Sequence, residues 1–270
     1  MDWKRLGQSG NVEDRRGIPG GGLAIGGGAG LIILIVSLLF GGNPGQILNQ
    51  LNGNSQQTAQ PKNDEIFQFT KAVLGSTDEY WGAVFQKSGR TYREPTLALF
   101  TAGTQTACGN ATSATGPFYC PNDQKIYVDP SFFDTLASRF DAKGDFAAAY
   151  VIAHEVGHHV QNELNILDQV QASGDRQGAN SAAVRLELQA DCFAGVWANS
   201  LANTSNPIVT AQDINEGRVA AQSVGDDALQ ERSRGYSDPE TFTHGTSAQR
   251  DQWFSTGVRT GDPNKCNTFR

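Results

Sequence analysis

Positive charge is in short supply: 21 Lys and Arg face 28 Asp and Glu, for a formal net charge of −7. A surface of that sign cannot displace counterions from phosphates, which excludes a nucleic-acid binder. Cysteine is sparse as well. Cys108, Cys120, Cys192 and Cys266 include no C-x-x-C pair, so zinc-ribbon and thioredoxin-like readings find no support. Histidine is equally scarce, at four in 270. Yet three of the four fall within the ten residues 151-VIAHEVGHHV-160, as His154, His158 and His159, with Glu155 directly after the first.

The apolar run 20-GGGLAIGGGAGLIILIVSLLF-40 carries no charge and is long enough for a helix to cross a hydrocarbon layer of about 30 Å. Lys4, Arg5, Arg15 and Arg16 precede it, and positive residues beside a first helix stay cytoplasmic. The expectation is a single-pass inner-membrane protein in four parts. Residues 1–19 are a cytoplasmic segment, 20–40 a transmembrane helix, 41–63 a flexible linker rich in Gly, Asn, Gln and Ser, and 64–270 a folded domain on the periplasmic or extracytoplasmic side. Gly22, Gly26 and Gly30, four apart, leave one face of the apolar helix bare enough for a homodimer contact.

That compartment is oxidising and favours disulfides. Cys108 and Cys120 bracket the turn-rich 109-GNATSATGPFY-119 and suit a local staple, which leaves Cys192 and Cys266 as a long-range pair. Three connectivities are open from sequence, and free buried thiols are the alternative.

The folded part reads as α+β, mostly helical with a small sheet. Hydrophobic spacing over 64–89 predicts two helices broken near Gly75, and the runs 96-TLALFTA-102 and 125-KIYVD-129 predict strands. From Asp145 onward, Phe146, Ala149, Ile152, Val156, Val160 and Leu164 recur at helical steps, so the histidine-rich stretch sits mid-helix. A second helix spans 181–202 with Ser181 or Asn180 as N-cap. A third runs from about Thr210 to Glu231, where Thr210 and Asp213 have capping-box spacing.

His154 and His158 are four apart and project from one helix face, one turn from each other. Two neutral imidazoles so placed make half of a zinc site, and Glu155 can reach a water in the open position. His159 points about 100° away from His158 and reads as a supporting or surface residue rather than a ligand. A catalytic zinc takes a third protein ligand. In 186-LELQAD-191, Glu187 and Asp191 again share a face, so one carboxylate can complete the site while the other accepts the N–H of a ligating histidine.

H-E-x-x-H followed by E-x-x-x-D on a later helix resembles the gluzincin metallopeptidases, the clan of thermolysin. More closely, 153-AHEVGHHVQ-161, 187-ELQADCFAGVWA-198 and 243-THGTSAQRDQWFSTG-257 resemble the neutral zinc metallopeptidases of the YpfJ type. The resemblance implies a zincin-like fold, Zn2+ held by His154, His158 and Glu187, Glu155 as general base, and Asp191 orienting a histidine. It implies His244 over the oxyanion, with Tyr236 as runner-up, and Arg250 holding a loop or a peptide carboxylate. It also implies an edge strand that aligns the substrate, for which 125–129 and 96–102 are both candidates.

The function expected is zinc-dependent hydrolysis of peptide bonds in a protein or peptide substrate. The competing readings are a non-catalytic, zinc-stabilised envelope assembly module and hydrolysis of a non-peptide amide.

Overall fold

The structure, a computed structural model, describes residues 1–17 and 64–269. The β-branched and aromatic runs after residue 95 build a four-stranded sheet around β2 (Thr96–Leu99) and β6 (Lys125–Val128), which pair in parallel with Leu97 opposite Ile126. The outer edge of β6 carries the antiparallel β5 (Phe118–Cys120). The outer edge of β2 carries β1 (Val12–Asp14), parallel to it with Glu13 opposite Ala98. A separate hairpin joins β3 (Gly103–Thr106) to β4 (Gly109–Thr112). Both 96–102 and 125–129 therefore contribute interior strands, and the free edges of the sheet are β1 and β5.

β1 belongs to the segment expected on the far side of a membrane. Its charges are satisfied within the fold: Arg16 pairs with Asp14 at 2.8 Å and with Asp64 at 2.7 Å, and Lys125 pairs with Glu13. Upstream, Trp3 is buried edge-to-face against Phe69, and the backbone N–H of Asp2 donates to Ile208. Residues 1–17 and 64–269 thus share one sheet and one core, so they lie on the same side of any membrane. A single crossing between them would separate them, and the expected inner-membrane, single-pass localisation is corrected on that ground. Among the described residues no helix is long and apolar enough to cross a membrane. The run 20–40 with its three spaced glycines, and the linker 41–63, lie outside the described residues.

The helices follow the apolar spacing, with three differences. α1 (Glu65–Lys87) is one helix and not two. Gly75 does not break it, because its missing side chain makes room for residues 7–9 to cross: a Cβ there would stand 2.5 Å from the carbonyl oxygen of Gly7. α2 (Ser131–Arg139) leads into α3 (Asp145–Glu163), which ends at Asn165 in the left-handed region before α4 (Ile166–Ser173). α5 (Ala182–Ala202) starts at the expected cap, with the Ser181 hydroxyl accepting from the N–H of Val184.

The predicted third helix divides into α6 (Ala211–Ser223), capped by the Thr210–Asp213 box, and α7 (Asp226–Arg234). Gly225 lies at the division, where a Cβ would collide with the Ser247 backbone. α8 (Ser247–Thr260) then packs along α5 in close contact through Gly195 and Gly257, each of which faces backbone of the other helix. Two disulfides, Cys108–Cys120 and Cys192–Cys266, join the hairpin to β5 and the C-terminal segment to α5. The architecture is α+β, mostly helical with a small sheet.

Candidate metal centre

α3 and α5 cross where Gly157 meets Ala190, at a separation that leaves a Cβ on Gly157 only 3.0–3.2 Å from Ala190 atoms. That close approach carries Glu187 from α5 up to His154 and His158 on α3. The Nε2 atoms of the two histidines are 3.1 Å apart, and Glu187 lies 3.2 Å from the first through Oε2 and 3.4 Å from the second through Oε1. Tetrahedral ligands about 2.05 Å from a zinc ion stand about 3.3 Å from one another, so the triangle fits that ion. Among the described residues this is the one group of three metal-ligating side chains whose donor atoms converge.

Both histidines are oriented for the purpose. His154 Nδ1 is bonded to Asp191 at 2.8 Å and His158 Nδ1 to the Gln161 carbonyl oxygen at 2.9 Å. With the proton on Nδ1 in each ring, both Nε2 lone pairs are left facing the shared point. Two such nitrogens facing one point are the donors a metal cation takes. The Gln161 amide in turn donates to the Leu186 carbonyl, fixing the group that fixes His158.

Asp191 is fully buried and accepts from Tyr150, from His154 and, through both oxygens, from Arg250. Burial opposes its charge, but Arg250 and then His154 outweigh that and hold it at about 2. In the metal-free protein, burial likewise works against a charged His154, and Asp191 followed by Glu187 raises it to about 10. For Glu187, burial is outweighed by His158 and His154, which draw its carboxyl well below the usual range. Glu155 moves the other way. It is buried beside the ligands, and that burial raises its carboxyl above the ordinary glutamate value.

His154, Glu155, His158 and Glu187 line a cavity of about 620 Å³ whose walls, including Pro117, Phe118, Phe132, Val151, Leu167 and Leu186, are mostly apolar. His244 reaches the same cavity from the loop before α8. Its Nδ1 lies 3.2 Å from Asp226, whose other oxygen accepts the backbone N–H groups of Thr243, His244 and Gly245. Burial opposes a charged His244, but Asp226 and then Glu187 raise its pKa above the ordinary value.

The structure also places Tyr236, Arg250 and His159. Tyr236 is 61% exposed beneath Arg234 and is not part of the cavity wall. Arg250 lines the cavity, but its guanidinium is buried and engaged on Asp191, leaving no free fork for a peptide carboxylate. His159 is wholly buried, accepting from the Tyr119 hydroxyl at 3.0 Å and donating to the Arg93 carbonyl at 2.6 Å, so it ties α3 to β5 and to the loop before β2. Sequence reasoning passed over Tyr150, Gln161 and Asp226. Tyr150 lies one helical turn before His154 and Gln161 one turn after His158, a signal that was available; Asp226 reaches His244 across 18 positions with no spacing to mark it.

The whole described chain has relatives. Residues 1–269 match the family described as "Putative neutral zinc metallopeptidase". The chain belongs to that family. It is 43% identical over 285 residues to the uncharacterized protein YpfJ of Escherichia coli (strain K12), an alignment covering all of this chain and 99% of that one. It is 41% identical over 250 residues to the uncharacterized protein Rv2575 of Mycobacterium tuberculosis (strain ATCC 25618 / H37Rv), covering 86% and 85% of the two chains. No solved structure matches. Zn2+ is the cofactor that family membership implies, and the His154, His158 and Glu187 triangle is of the size and donor chemistry to hold it.

Proposed function

We propose that this protein is a zinc-dependent endopeptidase of zincin-like fold. The observation that carries the reading is the convergence of His154, His158 and Glu187 beside Glu155 on the wall of an apolar cavity. A structural zinc site takes four protein ligands and is closed; three ligands opening on a cavity match a catalytic site.

When bound, zinc supplies Lewis-acid polarisation of a carbonyl and lowers the pKa of water to about 7. The chain's own residues then divide the proton work. Glu155, with its carboxyl raised by burial, accepts the proton of the attacking water and returns it to the leaving amine. His244, held by Asp226, presents its other ring nitrogen to the developing oxyanion. Asp191 keeps His154 in the ligating tautomer.

β5 is the candidate for aligning an extended substrate by strand addition. It is a free sheet edge, and Phe118 and Tyr119 also line the cavity.

The test is cleavage of a peptide library by the intact chain loaded with one zinc, beside Glu155→Gln carrying equal zinc. The reading predicts turnover by the first and loss of at least about 100-fold in the second. Equal zinc with no peptide cleaved by either would leave the non-catalytic assembly reading standing instead.

A further inference from the structure

A second cavity, about 550 Å³, shares no residue with the first. One wall is residues 8–11. The other is a single face of α1, where Gly75, Asp78, Glu79, Gly82, Ala83 and Gln86 follow one another at three- and four-residue steps. At 1.5 Å per residue that face runs for about 16 Å. Among the described residues Asp78, Glu79 and Glu94 are its charged lining, and no Lys or Arg lines it.

Asp78 is 7% exposed, and among the described residues neither of its oxygens has a partner in hydrogen-bonding geometry, the nearby Ser9 hydroxyl included. A buried carboxylate without donors is a costly arrangement, and natural folds pair such groups. Burial first, then Glu94, pushes this carboxyl up to about 7, with Ser9 drawing it down only in part. Glu94 is itself held by the Asn11 amide at 2.7 Å and so stays in place as a second negative charge.

Gly82 leaves the floor of the groove open. A glycine inside a helix is destabilising relative to alanine. Gly75 has a reason in the crossing of residues 7–9, whereas a Cβ on Gly82 would meet nothing within 4 Å. Its absent side chain keeps the floor open for no neighbour in the described fold. The occupant is not a metal ion clasped by these carboxylates, because among the described residues only the His154, His158 and Glu187 group brings three such donors together.

We propose that this groove binds an unbranched aliphatic cation, its ammonium or guanidinium end seated on Asp78 and its methylene chain lying over Gly82 and Ala83. The charge supplies the donors that Asp78 lacks and relieves its repulsion by Glu94, and the small residues admit a slender chain. The same chemistry is found in a free diamine and in a lysine or arginine side chain of an extended polypeptide.

Calorimetric titration of the intact chain at pH 8 tests the proposal, with cadaverine and Ac-Gly-Lys-Gly-NH2 as probes and 1-pentanol and Ac-Gly-Gln-Gly-NH2 as neutral controls. Saturable binding of at least one cationic probe and of neither control is expected, and the tighter cation identifies the source. Asp78→Asn should weaken it at least about tenfold. Gly82→Leu, whose Cβ has open space, should weaken it likewise, and melting curves establish that both variants fold. No saturable binding by the wild type, or unchanged affinity in Asp78→Asn, overturns the proposal.

Discussion

The guanidinium of Arg250 grips the carboxylate of Asp191 with two parallel bonds of 2.9 Å, Nε to Oδ2 and Nη2 to Oδ1. The same Oδ1 accepts from Tyr150 and lies 2.8 Å from His154 Nδ1. One buried ion pair therefore sets the orientation of a metal-facing imidazole. Replacing Arg250 by Met takes from the buried Asp191 its guanidinium partner and leaves it only Tyr150 and His154, a loss of roughly 3–5 kcal/mol in stability, with weakened zinc binding. Arg250→Lys keeps the charge but not the fork, so it should fall between Met and wild type. Denaturant melts and competitive zinc titrations of the three proteins check the order.

Gly157 governs how near α5 comes to α3. In Gly157→Ala the new Cβ lies 3.0–3.2 Å from Ala190 atoms, so the helices must part by a few tenths of an ångström. Glu187 moves with α5. Zinc affinity should drop about tenfold while the chain stays folded, since a shift of that size misplaces a ligand without opening the core. Unchanged affinity would show that the crossing distance does not set the site.

His159 offers a contrast to its neighbour. His159→Leu strips the Tyr119 hydroxyl and the Arg93 carbonyl of a buried partner and should cost about 1–3 kcal/mol, with zinc content unaltered. His158→Leu should instead lose the metal. Zinc analysis and melting curves on the pair separate support from ligation.

Asp78 gives a pH signature in amine-free buffer. Its carboxyl is raised from 3.8 to about 7, so between those values the folded chain holds more proton than the unfolded one. The stability this contributes is present below pH 3.8 and is lost as pH rises through 7. Asp78→Asn removes the charge that causes the loss. It should melt as wild type does at pH 3.5 and be more stable at pH 8 by roughly 2–4 kcal/mol, measured by denaturant titration at both.

What could be read in advance was local. His154 with His158, Glu187 with Asp191, and Thr210 with Asp213 are each pairs within one helical turn, where sequence spacing is spatial spacing. The pairing of Asp191 with Arg250 and of His244 with Asp226 was not legible, because Arg250 reaches across 59 positions and Asp226 across 18. Gly75 misled for a physical reason: a glycine that admits a crossing chain and a glycine that ends a helix look alike until the crossing chain is known. Arg15 and Arg16 misled similarly. Their charges suit a membrane flank, but their carboxylates are supplied by Glu13, Asp14 and Asp64 within the fold.

The most direct measurement is elemental zinc in purified wild type and Glu187→Ala, followed by a competitive titration of both. The account predicts one zinc per chain in the wild type and affinity at least about 100-fold weaker in the variant. Zinc retained undiminished in Glu187→Ala would contradict it, and would mean that His154 and His158 share their ion with some other residue.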